Sequence, residues 1–189
     1  MKNRPYQCTM MCFVALLVSA GSVDAAEPPA VRATIEPIQD RKPAPAFGLE
    51  DAAGKIVRLS DYRGKVVLLD FWATECGGCV REIPSFMDLA RAYKNDGLAV
   101  AGVSVDVLYE NLKDSKEAWS RVRPFIQAHK VNYQILMGDD QVTKRYHIQA
   151  LPLTYLIDKR GRIAATYMGV VDKDNVEANI QIVLRENNK

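Results

Sequence analysis

Residues 66–79 read VVLLDFWATECGGC, and most of the architecture can be predicted from this stretch. Its first part, Val66–Trp72, is a nearly continuous apolar run rich in β-branched side chains, which is typical of a strand buried on both faces of a sheet. After Cys79 the apolar residues recur at helical spacing, which predicts a helix that ends at the turn Asn95-Asp96-Gly97. A buried strand followed at once by a helix predicts a β-α-β unit and therefore a parallel pair of strands.

The segments on either side of this stretch complete an α/β domain. In chain order they predict a hairpin at Phe47–Leu59, a buried strand at Leu98–Val105, a helix from near Ser115, an antiparallel hairpin at Leu153–Tyr167 and a closing helix at Val176–Leu184. We therefore predict one α/β domain over residues 46–189. It has a mixed central sheet flanked by helices on both faces, with an N-terminal β-hairpin extension.

The composition excludes several classes of protein. With 189 residues, of which 48% are hydrophobic and 25% are charged, the chain has the make-up of one ordinary globular domain. Its 25 Lys and Arg against 23 Asp and Glu leave a net charge of +2, which gives no general electrostatic reason to bind nucleic acid or an anionic membrane. Four cysteines and two histidines are too few for a dense disulfide scaffold or a multi-histidine metal cage.

Residues 1–25 have the features of a secretory signal peptide. Lys2 and Arg4 precede an apolar core of 13 residues, Cys8–Ala20, and Val23-Asp24-Ala25 fits the small-residue pattern at which signal peptidase cuts. The core is shorter than the roughly 20 apolar residues that a membrane-spanning helix needs. We expect cleavage after Ala25, with an uncleaved N-terminal anchor as the alternative. Either route predicts an exported protein in the periplasm or cell envelope, which is an oxidising compartment.

Two other segments are predicted to lie in solvent. Residues 26–45 contain five prolines, which predicts an extended linker that packs against nothing. The segment Asp106–Trp119 is charged and longer than a simple connection between a strand and a helix, so we interpret it as a solvated insertion. His129 and His147 are predicted to be surface or helix-cap residues.

The pair Cys76-Gly77-Gly78-Cys79 lies where the buried strand ends and the helix begins. The free N–H groups and partial positive charge of a helix N-terminus favour a thiolate, which predicts that Cys76 is a nucleophile and Cys79 the resolving thiol. Three alternatives compete with this redox reading: a structural disulfide, half of a zinc site, and two inert buried cysteines. The joint order of strand, cysteine pair and helix favours redox chemistry.

The segment from Asp70 to Cys79 resembles the active-site segment of thioredoxins. Its continuation, Val80–Pro84, resembles the exported TlpA/ResA branch of thiol–disulfide oxidoreductases in particular. The resemblance runs from about Pro43 to the C-terminus and includes the turn Leu59–Lys65 and a later Leu-Pro pair before a strand. It implies a thioredoxin-like fold and a redox-active Cys76–Cys79 disulfide, with no other cofactor and no metal.

The resemblance also assigns roles to two acidic residues. Asp70 takes the place of the family's buried carboxylate beneath the disulfide, where it would accept the proton of Cys79. Glu82 matches an acid of the TlpA/ResA branch and follows Cys79 by one helical turn, so both side chains can lie on one face. From the residues alone, Asp70 could instead stand at an exposed strand end, and Glu82 could be an ordinary solvated glutamate.

A substrate-binding surface is implied beside the cysteines. Leu151-Pro152 resembles the family's cis-proline loop, which binds substrate backbone, the alternative being a trans proline at the start of an edge strand. Glu75, Gly77 and Gly78 complete this surface. Two of them depart from the family pattern, because Glu75 stands where tryptophan is usual and Gly78 where proline is usual. A carboxylate beside the first cysteine disfavours its thiolate unless it points to solvent.

These observations predict a thiol–disulfide oxidoreductase of the cell envelope that reduces protein disulfides through a mixed disulfide. The alternatives are a disulfide oxidant or isomerase, a Cu(I)-binding metallochaperone and, last, a peroxidase. The implied partners are protein dithiol or disulfide clients and a membrane electron donor, with N-terminal membrane attachment as a further expectation. Cytochrome c maturation, copper-centre assembly and disulfide repair all employ this branch.

Overall fold

The computed structural model describes residues 29–186. Within them the chain forms seven strands and five α-helices, in the following order. They are β1 (Gly48–Asp51), β2 (Ile56–Arg58), β3 (Val66–Trp72), α1 (Gly77–Ala92), β4 (Leu98–Ser104), α2 (Asp106–Tyr109), α3 (Ser115–Ala128), β5 (Gln134–Met137), α4 (Asp140–Arg145), β6 (Leu153–Ile157), β7 (Ile163–Met168) and α5 (Lys173–Arg185).

The strands form one mixed sheet in the order β2-β1-β5-β4-β3-β6-β7. Strand β3 lies parallel to β4 and antiparallel to β6, and all seven of its residues are buried. Strands β6 and β7 form the predicted late hairpin, and β1 and β2 form the predicted early one. The α/β class and the mixed sheet are therefore confirmed.

Alternation along β3 separates two hydrophobic layers, because successive side chains of a strand point to opposite faces. Val67, Leu69 and Phe71 belong to one core cluster, together with α4 and the early hairpin. Leu68 packs on the other face with α1 and α5, and Trp72 packs there with α1 and α3. The position between Leu68 and Trp72 is Asp70, so the strand places a carboxylate in the layer beneath α1.

The sequence did not predict strand β5 or helix α4. Both are short, with four residues in Gln134–Met137 and six in Asp140–Arg145, which is too few to show a clear periodicity. Strand β5 pairs with β4 on one side and with β1 on the other. It therefore joins the early hairpin to the central sheet, so the hairpin is a continuation of the sheet and not a separate appendage.

The prediction that residues 26–45 pack against nothing is wrong for their described part. Val31 forms an isolated bridge with Val171, and Pro43 forms one with Arg162 of the late hairpin. Arg41 is only 6% exposed, because its guanidinium lies inside the protein. Prolines favour extended backbone, as predicted, but an extended segment can still lie along the edge of a folded domain.

The guanidinium of Arg41 is held by two carboxylates. It binds both oxygens of Glu186 at 2.6 Å and an oxygen of Asp158 at 3.2 Å. Its Nε also donates to the carbonyl oxygen of Glu36 at 2.9 Å. These bonds raise the pKa of Arg41, which outweighs the opposing effect of burial. The described part of the predicted linker, residues 29–45 and here called the lead-in, is therefore anchored to the domain by a largely buried ion pair.

The segment Asp106–Trp119 is solvated only in its middle. Asp106 and Trp119 are 0% and 2% exposed, whereas Leu108, Tyr109 and Lys113 are exposed. The prediction of a wholly solvated insertion is therefore wrong at both ends. The first end is buried because Asp106 binds the loop that follows β3, and the second because Trp119 belongs to the core beneath α3.

The two histidines and the N-terminal segment complete the comparison with the predictions. His129 and His147 are exposed, and His129 caps the C-terminus of α3, as predicted. The predicted signal peptide, residues 1–25, lies outside the described residues. Between residues 29 and 186, the helices are all too short or too polar to cross a membrane.

Candidate active site

The cysteine pair begins helix α1. Cys76 is the N-cap residue, and its sulfur accepts the backbone N–H of Cys79 at 3.3 Å. The two cysteines form a disulfide bond with their Cα atoms 5.3 Å apart. Cys76 is 5% exposed and Cys79 is 0% exposed, so of the two cysteines Cys76 is the one in contact with solvent. Among residues 29–186, no group of three His, Cys, Asp or Glu side chains is arranged to hold a metal ion.

Both predicted acids lie inside the protein, Asp70 on β3 and Glu82 on α1 itself. Asp70 is 0% exposed, and its Oδ1 accepts a hydrogen bond from the hydroxyl of Thr154 on β6 at 3.2 Å. Glu82 is 2% exposed, and its Oε1 accepts the backbone N–H of Val171 at 2.6 Å. The structure therefore excludes an exposed strand end for Asp70 and a solvated helix position for Glu82.

In each acid, the second carboxyl oxygen lacks a hydrogen bond within the described part of the chain. Asp70 Oδ2 and Glu82 Oε2 are both buried, and neither has a hydrogen-bond partner within residues 29–186. An ionised carboxylate that is buried with an unsatisfied oxygen is costly, so the protonated form is favoured at both positions. The site thus contains two carboxyl groups that resist ionisation.

The electrostatics of the pair follow from burial and from mutual repulsion. Burial raises the pKa of Asp70, and the Thr154 hydroxyl offsets this only in part. Burial also raises the pKa of Glu82, and the negative charge of Asp70 raises it further, against the lowering effect of the Val171 N–H. Because one charge opposes the other, the pair retains a proton more readily than either acid would alone.

Tyr133 is a third titratable group of this buried layer. Burial raises its pKa, and the nearby charges of Asp70 and Glu82 raise it further. Its ring lies over Gly102 of β4, where an added methyl group would be 3.2 Å from Tyr133 Cε2 and 2.9 Å from Trp72 Nε1. The sequence analysis missed Tyr133, because nothing local distinguishes it from an ordinary core tyrosine.

The Leu151–Pro152 peptide bond is cis, as predicted. The carbonyl oxygen of Pro152 accepts the backbone N–H of Gly169 at 2.9 Å, which ties this loop to the end of β7. Leu151 is half-buried and packs against the hydrophobic cluster that contains both cysteines. The structure therefore brings the Leu-Pro pair beside the disulfide, although the sequence separates it from Cys79 by more than 70 residues.

The remaining motif residues form the outer rim of the site. Glu75 and Gly77 are exposed, and Gly78 is half-buried. Because Glu75 is exposed, its carboxylate is hydrated and its effect on the Cys76 thiolate is weakened. A methyl group added at Gly77 would meet no atom within 4 Å, whereas one at Gly78 would touch its neighbours.

Asp106 is a site-supporting residue that sequence reasoning missed. Its carboxylate accepts the backbone N–H of Thr74 at 3.0 Å and the hydroxyl of Ser104 at 2.7 Å, and it also accepts the Thr74 hydroxyl. These bonds hold the loop between β3 and Cys76. The sequence did contain a signal for this contact. Trp72 and Ser104 end two parallel strands and are paired, so Thr74 and Asp106, which follow them, are brought close together.

Comparisons with known proteins agree with this geometry. The AhpC/TSA family matches residues 41–166. The chain is 35% identical to the thiol-disulfide oxidoreductase ResA of Geobacillus kaustophilus over 141 residues, which cover 74% of this chain and 75% of that protein. It is 32% identical to the ResA of Bacillus subtilis over 155 residues, 82% of this chain and 81% of that one.

Solved structures place the same fold in the same functional class. The thioredoxin domain of a thiol-disulfide oxidoreductase from Bacteroides vulgatus is 28% identical and superposes with a TM-score of 0.63, over 75% of this chain and 96% of that one. The sequence match, the fold and the Cys76–Cys79 pair lead to one conclusion. The chain belongs to the thioredoxin-like AhpC/TSA family and is a thiol–disulfide oxidoreductase of the ResA type.

Proposed function

We propose that this oxidoreductase reduces disulfide bonds in other exported proteins. The observation that carries the proposal is the pair of buried carboxyl groups, Asp70 on β3 and Glu82 on α1, one helical turn after Cys79. A dithiol whose thiolate is stabilised gives up its electrons less readily, because its reduced form is stabilised; strongly oxidising thiol–disulfide oxidoreductases have this property. Here the charge that the Asp70–Glu82 pair carries when one of its acids is ionised opposes a thiolate nearby, which destabilises the reduced form and favours donation of electrons.

The two cysteines are placed for different tasks. Cys76 caps α1 and so receives the partial positive charge of the helix N-terminus, which favours its thiolate. Cys79 is fully buried next to Glu82, one turn further along the helix, where a thiol is favoured over a thiolate. The reduced protein therefore pairs a reactive outer thiolate with an inner thiol.

The first step is attack on the client disulfide. The Cys76 thiolate attacks one client sulfur, a bond forms between the two sulfurs, and the client S–S bond breaks. The second client sulfur leaves as a thiolate and takes a proton from water. The product is a mixed disulfide between Cys76 and the client.

The second step releases the reduced client. The Cys79 thiol gives its proton to the buried pair, where whichever of Asp70 and Glu82 is ionised accepts it. The Cys79 thiolate then attacks the sulfur of Cys76, forms the Cys76–Cys79 disulfide and expels the client sulfur as a thiolate. Two electrons have passed from the dithiol to the client, so no cofactor besides the disulfide is required.

The client is held by the rim of the site. We expect Leu151, Pro152, Glu75, Gly77 and Gly78 to form this rim, because Leu151 packs against the cluster that contains both cysteines and Pro152 lies against Gly78. Their backbone groups then offer an extended client segment a place to pair. With glutamate in place of the usual tryptophan, this rim carries a negative charge. We therefore expect client segments with basic residues beside the reacting cysteine to react faster than acidic ones.

We place this activity on the outer side of the cytoplasmic membrane. The signal-like residues 1–25 support export, and an oxidising compartment requires a membrane electron donor to return the disulfide to the dithiol. Cytochrome c maturation suits this chemistry, because the haem-attachment Cys-x-x-Cys-His segment must be reduced before haem is attached. Copper-centre assembly and disulfide repair need the same reductive step.

The reduction potential of the Cys76–Cys79 pair tests the proposal. We expect a value near or below about −230 mV in graded dithiothreitol buffers, on the thioredoxin side of the scale. A value above roughly −150 mV would instead assign the protein to the oxidants or isomerases. Asp70→Asn and Glu82→Gln should each raise the potential, because each removes an acid whose ionised form opposes the thiolate.

A variant that traps the intermediate tests the mechanism separately. Cys79→Ser should accumulate a mixed disulfide with a model client, whereas Cys76→Ser should form none. A Cys76→Ser protein that retained full reductase activity would contradict the assignment of the nucleophile. Stoichiometric, glutathione-resistant Cu(I) binding by the reduced protein would favour the metallochaperone alternative.

A further inference from the structure

The lead-in, residues 29–45, pairs with the rest of the protein at several places, and one of them lies near the active site. Residues 31–36, here called the strap, begin at Val31, whose N–H donates to the carbonyl oxygen of Val170 at 2.7 Å. The carbonyl oxygen of Val31 accepts the N–H of Asp172 at 2.8 Å. Val31 thereby forms a parallel bridge with Val171, the residue between Val170 and Asp172.

The rest of the strap is bound along β7 and α5. The N–H of Ala33 donates to Asn175 Oδ1 at 2.8 Å, and its carbonyl oxygen accepts the side-chain amide of Asn179 at 2.9 Å. The N–H of Glu36 donates to the carbonyl oxygen of Ala164 at 2.8 Å. The strap is therefore a docked element with a defined register.

The segment that receives Val31 touches three parts of the active site. The N–H of Gly169 donates to Pro152, the side chain of Val170 lies against Gly78, and the N–H of Val171 donates to Glu82. Residues 169–172, here called the linking turn, thus join the cis-proline loop, the cysteine motif and the buried acid. Val31 holds this turn from its outer side.

We propose that Val31 and the linking turn are positioning elements of the reaction: by pairing with residues 170–172, Val31 fixes the Val171 N–H on Glu82 and so sets how readily Glu82 takes the proton of Cys79. The inference rests on the role proposed above for Glu82. It goes beyond that role, because it assigns control of the acid to a segment that carries no reactive group.

The physical reason is that Val171 supplies the one hydrogen bond that Glu82 receives among residues 29–186. A buried carboxylate depends on such donors, so a displaced N–H makes the ionised form less accessible. The other groups that act on Glu82 lie outside the strap and the linking turn: Asp70 on β3, Tyr133 before β5 and Arg81 on α1. Release of the strap leaves these groups in place.

The test compares Val31→Pro with Glu36→Pro in the purified exported protein. Each substitution removes one backbone N–H that the strap donates to the domain, but of these two residues only Val31 contacts the linking turn. Arg32, which also binds the linking turn through Asp172, is unchanged in both variants. In the reduced protein, Ellman's reagent reports the reaction of each cysteine in turn. The first thionitrobenzoate is released when Cys76 attacks, and the second when Cys79 resolves the mixed disulfide.

We expect Val31→Pro to slow the second release and to move its pH midpoint upward by about half a unit or more. The first release should be unchanged, and Glu36→Pro should behave like the parent protein. In a Glu82→Gln background, Val31→Pro should have no further effect on the pH profile. Superimposable profiles for Val31→Pro and the parent would overturn the inference.

The same set of proteins separates this inference from the proposed function. If Glu82→Gln alone leaves the pH profile of the second release unchanged, the role of Glu82 is wrong. If Glu82→Gln changes the profile but Val31→Pro does not, only the positioning role is wrong.

A reciprocal measurement covers the case in which Val31→Pro does not fold. Coupling between two sites is mutual, so a weaker acceptor at Glu82 should loosen the strap. In Glu82→Gln we expect faster hydrogen exchange at the amides of Val171 and Val31, with unchanged exchange in β3. Unchanged exchange at Val31 would overturn the inference independently.

Discussion

Gly78 lies directly against Pro152, so that a methyl group added at Gly78 would stand 3.3 Å from Pro152 Cδ and 3.2 Å from Val170 Cγ2. The second glycine of the cysteine motif is therefore a contact point with both the cis-proline loop and the linking turn. Because it lacks a side chain, these two segments can approach the start of α1 closely. The departure from proline at this position thus has a structural consequence.

We expect Gly78→Ala to slow the reduction of disulfide clients, because Pro152 or Val170 must shift to admit the new methyl group. Gly77→Ala is the matched control, since its methyl group would meet no atom within 4 Å. An alanine at Gly77 should stabilise the helix start by about 0.5–1 kcal/mol, and it should slow client reduction less than alanine at Gly78, because no segment of the protein has to shift. Thermal unfolding and insulin reduction measure both quantities, and equal rates for the two variants would contradict the expected contact.

Asp70→Asn should stabilise the protein at alkaline pH and not at acidic pH. Burial raises the pKa of Asp70 in the folded state, so the unfolded chain releases this proton first as pH rises. Stability is therefore lost as pH increases from about 4 through the raised folded pKa, and asparagine avoids this loss. We expect a gain of roughly 1–3 kcal/mol at pH 8 that disappears near pH 4.

Urea unfolding of the parent and Asp70→Asn proteins at the two pH values measures this difference. The control is Asp88→Asn, because Lys173 lowers the pKa of this exposed acid. Its effect on stability should be small and of opposite sign. An equal gain for Asp70→Asn at both pH values would show that ionisation of Asp70 is not its cause.

Asp106→Ala should weaken both the fold and the reaction. It removes the acceptor of the Thr74 N–H and of the Ser104 hydroxyl, which leaves buried donors unsatisfied at a cost of about 2–4 kcal/mol. The loop before Cys76 should then position the nucleophile less well. Asp139→Ala is the control, because it removes an N-cap of α4 and should cost about 1 kcal/mol without a change in the alkylation rate of Cys76.

Arg41→Met should destabilise the protein by about 3 kcal/mol, because it leaves the carboxylates of Asp158 and Glu186 without their buried partner. Arg91→Met removes an arginine from an exposed pair with Asp88 and should change stability by about 0.5 kcal/mol or less. Chemical unfolding of both variants makes the comparison. If the two losses were equal, the lead-in would not be anchored through Arg41.

Local patterns predicted much of the fold and the chemical centre of the site. The apolar run Val66–Trp72 and the helical spacing after Cys79 are properties of adjacent residues, and both elements are confirmed. The run by itself left open whether Asp70 is buried or stands at an exposed strand end; the family resemblance implied burial, and the structure confirms it. The short elements β5 and α4 were missed, because their formation depends on neighbours that precede them by many residues.

The sequence by itself determined the cysteine pair at a helix start, the acid one turn later and the Leu-Pro pair before a strand. Each of these depends on spacing along the chain, which sequence shows directly. Only the tertiary structure decided that Val171 donates to Glu82 across 89 positions of sequence and that Val31 holds Val171 from outside. Backbone N–H groups are common to nearly all residues, so which one meets a buried carboxylate is determined by how distant segments pack.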